Sequence, residues 1–208
     1  MMRYQIFSPA DCPSGVIYLL NDASDVPSLA RTAVVSVEVP DWNRDLSPWT
    51  AARVFRKGDD FAGGAKDYLR ELTETVAKTE KSLGFAPEFR GIAGYSLAGL
   101  FAVWALYHTD RFDRAASMSG SLWFDGFTDF MDSHRPVKIP DRLYLSVGER
   151  EKQTKNARMA QVEACTLRTA ELFRGYGTDV QFERNPGGHF DDVPARIERG
   201  LRHITCDI

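Results

Sequence analysis

A serine and a histidine in this sequence lie in motifs typical of nucleophilic attack on a carbonyl carbon, with the serine as nucleophile and the histidine as base. Ser96 lies in the motif Gly94-x-Ser96-x-Ala98, between a predicted strand at 89–93 and a predicted buried helix at 100–106. A nucleophilic serine at such a strand-to-helix turn needs small residues two positions before and after it, because larger side chains would collide with the strand and the helix. Gly94 and Ala98 meet that requirement. The alternative is a serine that merely caps the helix.

His189 is the candidate general base. It follows the predicted strand at 179–182 in the run Pro186-Gly187-Gly188-His189 and precedes the last predicted helix. The two glycines permit a tight turn that can carry an imidazole across the carboxyl edge of a sheet. Together with Ser96, this indicates nucleophilic acyl transfer.

A carboxylate should lie between Ser96 and His189, since serine, acid, histidine is the chain order of α/β-hydrolases. The predicted strand at 143–147 is followed by Glu149 and Glu151. We favour Glu151, because it stands far enough past the strand to turn toward the imidazole and hold its tautomer. Glu149, or a solvated glutamate with no such role, is the alternative.

An oxyanion hole requires two N–H donors. The residue after the nucleophile, Leu97, supplies one by its position. The second is expected in the loop after the apolar run at 16–20, where Asn21, Asp22 and Ala23 follow.

Strands and helices are predicted to alternate along all 208 residues, which favours an α/β fold with a doubly wound, mostly parallel sheet. We expect one domain, 1–208, of the α/β-hydrolase type without a large lid domain. Aromatic residues in the loop at 41–62 and the segment at 121–137 are predicted either to line the pocket or to pack in the core. They are Trp42, Trp49, Trp123, Phe124, Phe127 and Phe130.

Composition argues against several other classes of protein. The formal net charge is −3, whereas proteins that bind nucleic acids usually have a basic domain or surface. The three cysteines form no CxxC pair, and we expect neither a metal nor an organic cofactor. The best N-terminal apolar run, 16–20, is too short to cross a membrane, and no secretory signal pattern precedes it. We therefore expect cytoplasmic residence.

The motifs together resemble the putative-esterase family, which includes esterase D, feruloyl esterases, mycolyltransferases and enterochelin esterases. The similar segments, closest to the enterochelin-esterase-like branch, are YLLND at 18–22, NRDLSPW at 43–49, GGA at 63–65, GYSLAGL at 94–100, SGSLW at 119–123 and PGGH at 186–189.

The resemblance implies that Ser96 and His189 are catalytic and that the amides of Ala23 and Leu97 form the oxyanion hole. This chain departs from the family pattern twice: Ala98 replaces the usual glycine, and Asp22 stands where many relatives have glycine. The acid varies in this branch, where some members resemble Ser–His dyads.

The sequence thus predicts a serine esterase that cleaves a small-molecule carboxylic ester through an acyl-enzyme. An acyltransferase with the same intermediate, or a catalytically inert binding module of the same fold, is the alternative. A siderophore trilactone substrate is implied by the resemblance alone.

Overall fold

A computed structural model describes residues 2–9, 13–21 and 26–205. Its main sheet has seven strands, and a separate two-stranded hairpin is formed by β4 and β5. The strands are β1 Tyr4–Phe7, β2 Gly15–Leu20, β3 Thr32–Val37, β4 Thr50–Ala51, β5 Phe61–Ala62, β6 Phe89–Tyr95, β7 Arg114–Met118, β8 Arg142–Gly148 and β9 Asp179–Asn185. The helices are α1 Trp42–Asp45, α2 Ala65–Leu83, α3 Leu97–Ala105, α4 Phe127–Ser133, α5 Val162–Gly175 and α6 Val193–Thr205.

The main sheet runs in the order β1-β3-β2-β6-β7-β8-β9, and all of its strand pairs are parallel except β1 with β3. Strand β2 is buried on both faces, as its unbroken apolar run predicts. Val16, Tyr18 and Leu20 belong to the core on one face, and Ile17 and Leu19 belong to the core on the other.

Helices cover both faces of the sheet. Apolar residues of α2, α3 and α5 join the larger core, whereas Ile197 and Leu201 of α6 join the core on the opposite face. Every residue of α3 is buried, which explains its lack of a polar side. The predicted fold class, a mostly parallel doubly wound α/β sheet without a large lid domain, is confirmed.

Several local features differ from the sequence-based expectations. The antiparallel edge strand β1 was not predicted, because its partner strand lies 25 or more residues away in sequence. The expected loop at 41–62 contains α1 and the β4–β5 hairpin. No helix within the described residues is long and apolar enough to cross a membrane.

The topology sets the position of the site. Strands β6, β8 and β9 lie in one parallel array, so their carboxyl ends meet at the same edge of the sheet. Ser96 follows β6, Glu151 follows β8 by three residues and His189 follows β9 by four.

Candidate active site

Ser96 occupies a strained turn between β6 and α3. Its backbone has φ 57° and ψ −120°, a conformation that costs an L-residue on the order of 1–3 kcal/mol. The turn is possible because its neighbours are small: a Cβ added to Gly94 would lie 2.5 Å from the Cβ of Ala98. Although Ser96 precedes α3, its side chain makes no capping hydrogen bond to the helix. The hydroxyl is therefore directed elsewhere.

The hydroxyl of Ser96 meets the imidazole of His189, and the imidazole meets Glu151. The distance from Ser96 Oγ to His189 Nε2 is 3.0 Å, and that from His189 Nδ1 to Glu151 Oε2 is 2.7 Å. An ionised carboxylate can only accept, so Nδ1 carries the proton and Nε2 is left as an acceptor for the serine O–H. This is the arrangement that lets a histidine take a proton from serine.

Glu151 is held ionised in a buried position, with its side chain 4% exposed. Burial acts to raise the pKa of Glu151. The hydrogen bonds from His189, from the Gly148 N–H and from Ser119 more than offset burial and hold that pKa below its ordinary value. The Gly148 N–H donates to Oε1 at 2.6 Å. Glu149 is exposed, so of the two glutamates considered, Glu151 is the one that faces the imidazole.

The loop that carries His189 is fixed by contacts on both sides of the imidazole. Asp191 accepts from the Gly188 N–H at 2.8 Å and from Arg150 at 3.0 Å, and the Arg150 N–H donates to the Gly187 carbonyl. The Tyr95 hydroxyl donates to the His189 carbonyl at 2.6 Å. The imidazole is thus positioned before any substrate arrives.

Gly148 is required by the close approach of two segments. A Cβ at this position would lie 2.7 Å from the Gly187 carbonyl oxygen and 2.9 Å from Glu151 Oε1. Contacts this short force atoms to shift, so a larger residue would separate the acid from the histidine loop.

Arg196 was missed by the sequence analysis. Its side chain, on α6, is 0% exposed and bonds to Glu151 Oε1, the Tyr95 hydroxyl, Ser119 and the Pro186 carbonyl at 2.8–3.3 Å. The available signal for Arg196 was its position at the edge of the apolar stripe of α6. At such a position a long cationic side chain usually extends into water.

The oxyanion hole is described in part. Leu97 is the first residue of α3, and the N–H groups of a first helical turn have no acceptor within the helix. Ala23 lies outside the described residues, as does Asp22. Asn21, which precedes them, accepts from the Tyr95 N–H through Oδ1 at 2.9 Å, so the base of this loop adjoins the Ser96 turn.

Ser96, Glu151 and His189 line a cleft of about 110 Å³. Its other walls combine aromatic residues with charged ones, including Trp42, Phe55, Phe61, Trp123, Arg53, Lys57 and Asp59. Of the six aromatic residues singled out from the sequence, Trp42 and Trp123 line the cleft. The other four pack in or against the core: Trp49, Phe124, Phe127 and Phe130.

The hydroxyl of Ser121 is a second serine hydroxyl in this cleft, 3.5 Å from that of Ser96. Among residues 2–9, 13–21 and 26–205, no group of three or more histidine, cysteine, aspartate or glutamate side chains is arranged to hold a metal ion.

Comparison with known proteins gives a family match and structural neighbours. A family model described as Putative esterase matches residues 19–191. The uncharacterized protein YbbA of Bacillus subtilis is 26% identical over 145 residues, which are 68% of this chain and 58% of YbbA. The chain therefore spans little more than half the length of that curated relative.

Two solved structures share the fold at low sequence identity. The siderophore hydrolase EstA of Aspergillus nidulans has a TM-score of 0.77 and 16% identity, covering 99% of this chain and 90% of EstA. The enterobactin esterase FES of Shigella flexneri has a TM-score of 0.70 and 16% identity, covering 99% of this chain and 56% of FES.

Proposed function

The chain belongs to the Putative esterase family, and from that premise we propose that it hydrolyses small carboxylic esters with Ser96 as nucleophile, His189 as general base and Glu151 as the acid. The observation that carries the proposal is the continuous hydrogen-bonded path from Ser96 Oγ through the imidazole to a buried carboxylate. Its order along the chain is that of the serine hydrolases with this fold.

The reaction has two halves. Ser96 Oγ attacks the ester carbonyl carbon and gives its proton to His189 Nε2, and the oxyanion receives hydrogen bonds from the amides of Leu97 and Ala23. When the tetrahedral intermediate collapses, the C–O bond of the ester breaks and the leaving alkoxide takes the proton from His189. Water then attacks the acyl-enzyme by the same route and releases the carboxylic acid and free Ser96.

Glu151 stabilises the imidazolium that forms in each half. Because its carboxylate is already held by the Gly148 N–H and by Arg196, it needs no rearrangement during the reaction. This preorganisation adds to the electrostatic stabilisation of the transition state by the oxyanion-hole amides.

We expect p-nitrophenyl acetate and butyrate to be hydrolysed faster than the decanoate, because the 110 Å³ cleft encloses only a small group. The assay measures nitrophenolate release, with an initial burst where deacylation is slower than acylation. Adding alcohol acceptors tests the acyltransferase alternative: product partitioning mainly to a new ester rather than to acid would favour transfer. Absence of any turnover with all esters would favour the inert module.

An ester that carries an aromatic ring and a separate ionised carboxylate is a second candidate substrate. Among the described residues, the cleft is lined by Trp42, Phe55 and Trp123 for stacking, and by the cations Arg53 and Lys57, with Asp59 as the one carboxylate outside the triad. The structural neighbour FES was solved in the presence of 2,3-dihydroxy-N-benzoyl-glycine, which carries an aromatic ring and a carboxylate. Comparing kcat/KM for the mono-p-nitrophenyl ester of terephthalic acid, which keeps one ionised carboxylate, with that for the neutral p-nitrophenyl benzoate decides between the two.

A further inference from the structure

Arg196 brings a full positive charge into the protein interior. The guanidinium does not lose its proton in proteins, and removing it from water is costly unless it is paired. The buried face of α6 otherwise consists of small or apolar residues such as Ile197, Gly200 and Leu201. An aliphatic side chain would serve this packing better, since buried ion pairs contribute little to stability compared with apolar residues of similar volume. The reason for an arginine must therefore lie in its partners.

The partners of Arg196 lie on each of the three segments that carry the proposed triad. Nη1 lies 3.3 Å from Glu151 Oε1 and 3.2 Å from the hydroxyl of Tyr95, the residue before Ser96. Nη2 donates to the Pro186 carbonyl at 2.8 Å, at the start of the loop that carries His189. The planar guanidinium of Arg196 thus links chain segments that are up to 91 residues apart in sequence, counting from Tyr95 to Pro186.

Tyr95 extends this connection to the histidine itself. Its hydroxyl accepts from Arg196 and donates to the His189 carbonyl. Burial raises the pKa of Tyr95, so the phenol remains a neutral donor. The backbone of the histidine loop is therefore tied to Arg196 twice, directly at Pro186 and through the phenol at His189.

We propose that Arg196 is a positioning residue, which holds Glu151 and the backbone of the His189 loop so that the carboxylate meets the imidazole. Its charge also offsets part of the charge of Glu151. The kinetic test rests on the proposed function, but the bond between Glu151 and His189 is observable without turnover.

For Arg196→Met we expect kcat to fall about 100-fold with little change in KM, since small displacements of catalytic groups have effects of this size. Arg196→Lys keeps the charge but cannot serve Glu151 and Pro186 together, so it should recover only part of kcat. Arg202→Met, which removes an exposed arginine of the same helix, is the matched control. Should the methionine variant fail to fold, the lysine variant carries the test through its kcat.

Proton NMR gives a readout that does not depend on activity. The low-field signal of the His189 Nδ1–H, assigned by its loss in His189→Asn, should disappear or shift strongly in Arg196→Met and persist in Arg202→Met. Wild-type protein without esterase activity but with this response would refute the proposed function and keep the inference. An unchanged Nδ1–H signal in Arg196→Met would overturn the inference, whatever the activity.

Discussion

Ser96→Ala is expected to lower kcat for a short p-nitrophenyl ester by about a million-fold, because it removes the atom that forms the acyl-enzyme. KM and the melting temperature should change little, since alanine can adopt the same backbone conformation and no helix-capping bond is lost. The measurement is steady-state kinetics of purified wild-type and variant protein, with a thermal unfolding curve for each.

Ser121→Ala is the matched control for that variant. Its hydroxyl lies in the same cleft, 3.5 Å from the Ser96 hydroxyl. The imidazole of His189, however, is hydrogen-bonded to Ser96. We expect this variant to lose no more than about tenfold in kcat, the scale of one hydrogen bond. A Ser96→Ala protein as active as the wild type would rule out Ser96 as the nucleophile, and a large loss in Ser121→Ala alone would transfer the role to Ser121.

Glu151→Gln is expected to lower kcat by about 10,000-fold through the wrong histidine tautomer. Both the Gly148 N–H and Arg196 donate to the Oε1 position, so the amide oxygen of glutamine must occupy it. The amide NH₂ then points at His189 Nδ1 and donates to it. The ring proton moves to Nε2, which can no longer accept the proton of Ser96.

The control for the acid is Glu149→Gln, which changes the exposed glutamate two residues earlier and should leave kcat within about twofold of wild type, as is usual for surface substitutions. The pair of variants also addresses the Ser–His dyad alternative. Nearly full activity in Glu151→Gln would mean that the histidine works without a carboxylate, and the assignment of Glu151 would be wrong.

Much of the candidate site was predictable because parallel strands bring their carboxyl ends to one edge. Ser96, Glu151 and His189 each follow a strand that the sequence predicts, and in the structure they form one hydrogen-bonded path. The small residues around Ser96 were equally informative, because only they permit the turn between β6 and α3. Local pattern and chain order were sufficient for these positions.

The contacts of Arg196 and Tyr95 could not be predicted in this way. The Arg196–Glu151 pair joins residues 45 positions apart, and the Tyr95–His189 bond joins residues 94 positions apart. Neither belongs to a strand or helix pattern, because the first depends on how α6 packs against the sheet and the second on how the loop after β9 lies against β6. The hairpin inside the expected loop at 41–62 was not predicted, because its strands have two residues each, too few to show an alternating pattern.

The most direct test of the account is covalent labelling with a fluorophosphonate probe, followed by peptide mass spectrometry. Such probes react with a serine hydroxyl that an adjacent base has activated, so we predict a single modified peptide with the adduct on Ser96. His189→Asn should abolish the labelling, because the variant cannot accept the serine proton. A native protein that stays unlabelled at Ser96, or that carries the adduct on another serine such as Ser121, would contradict the central claim.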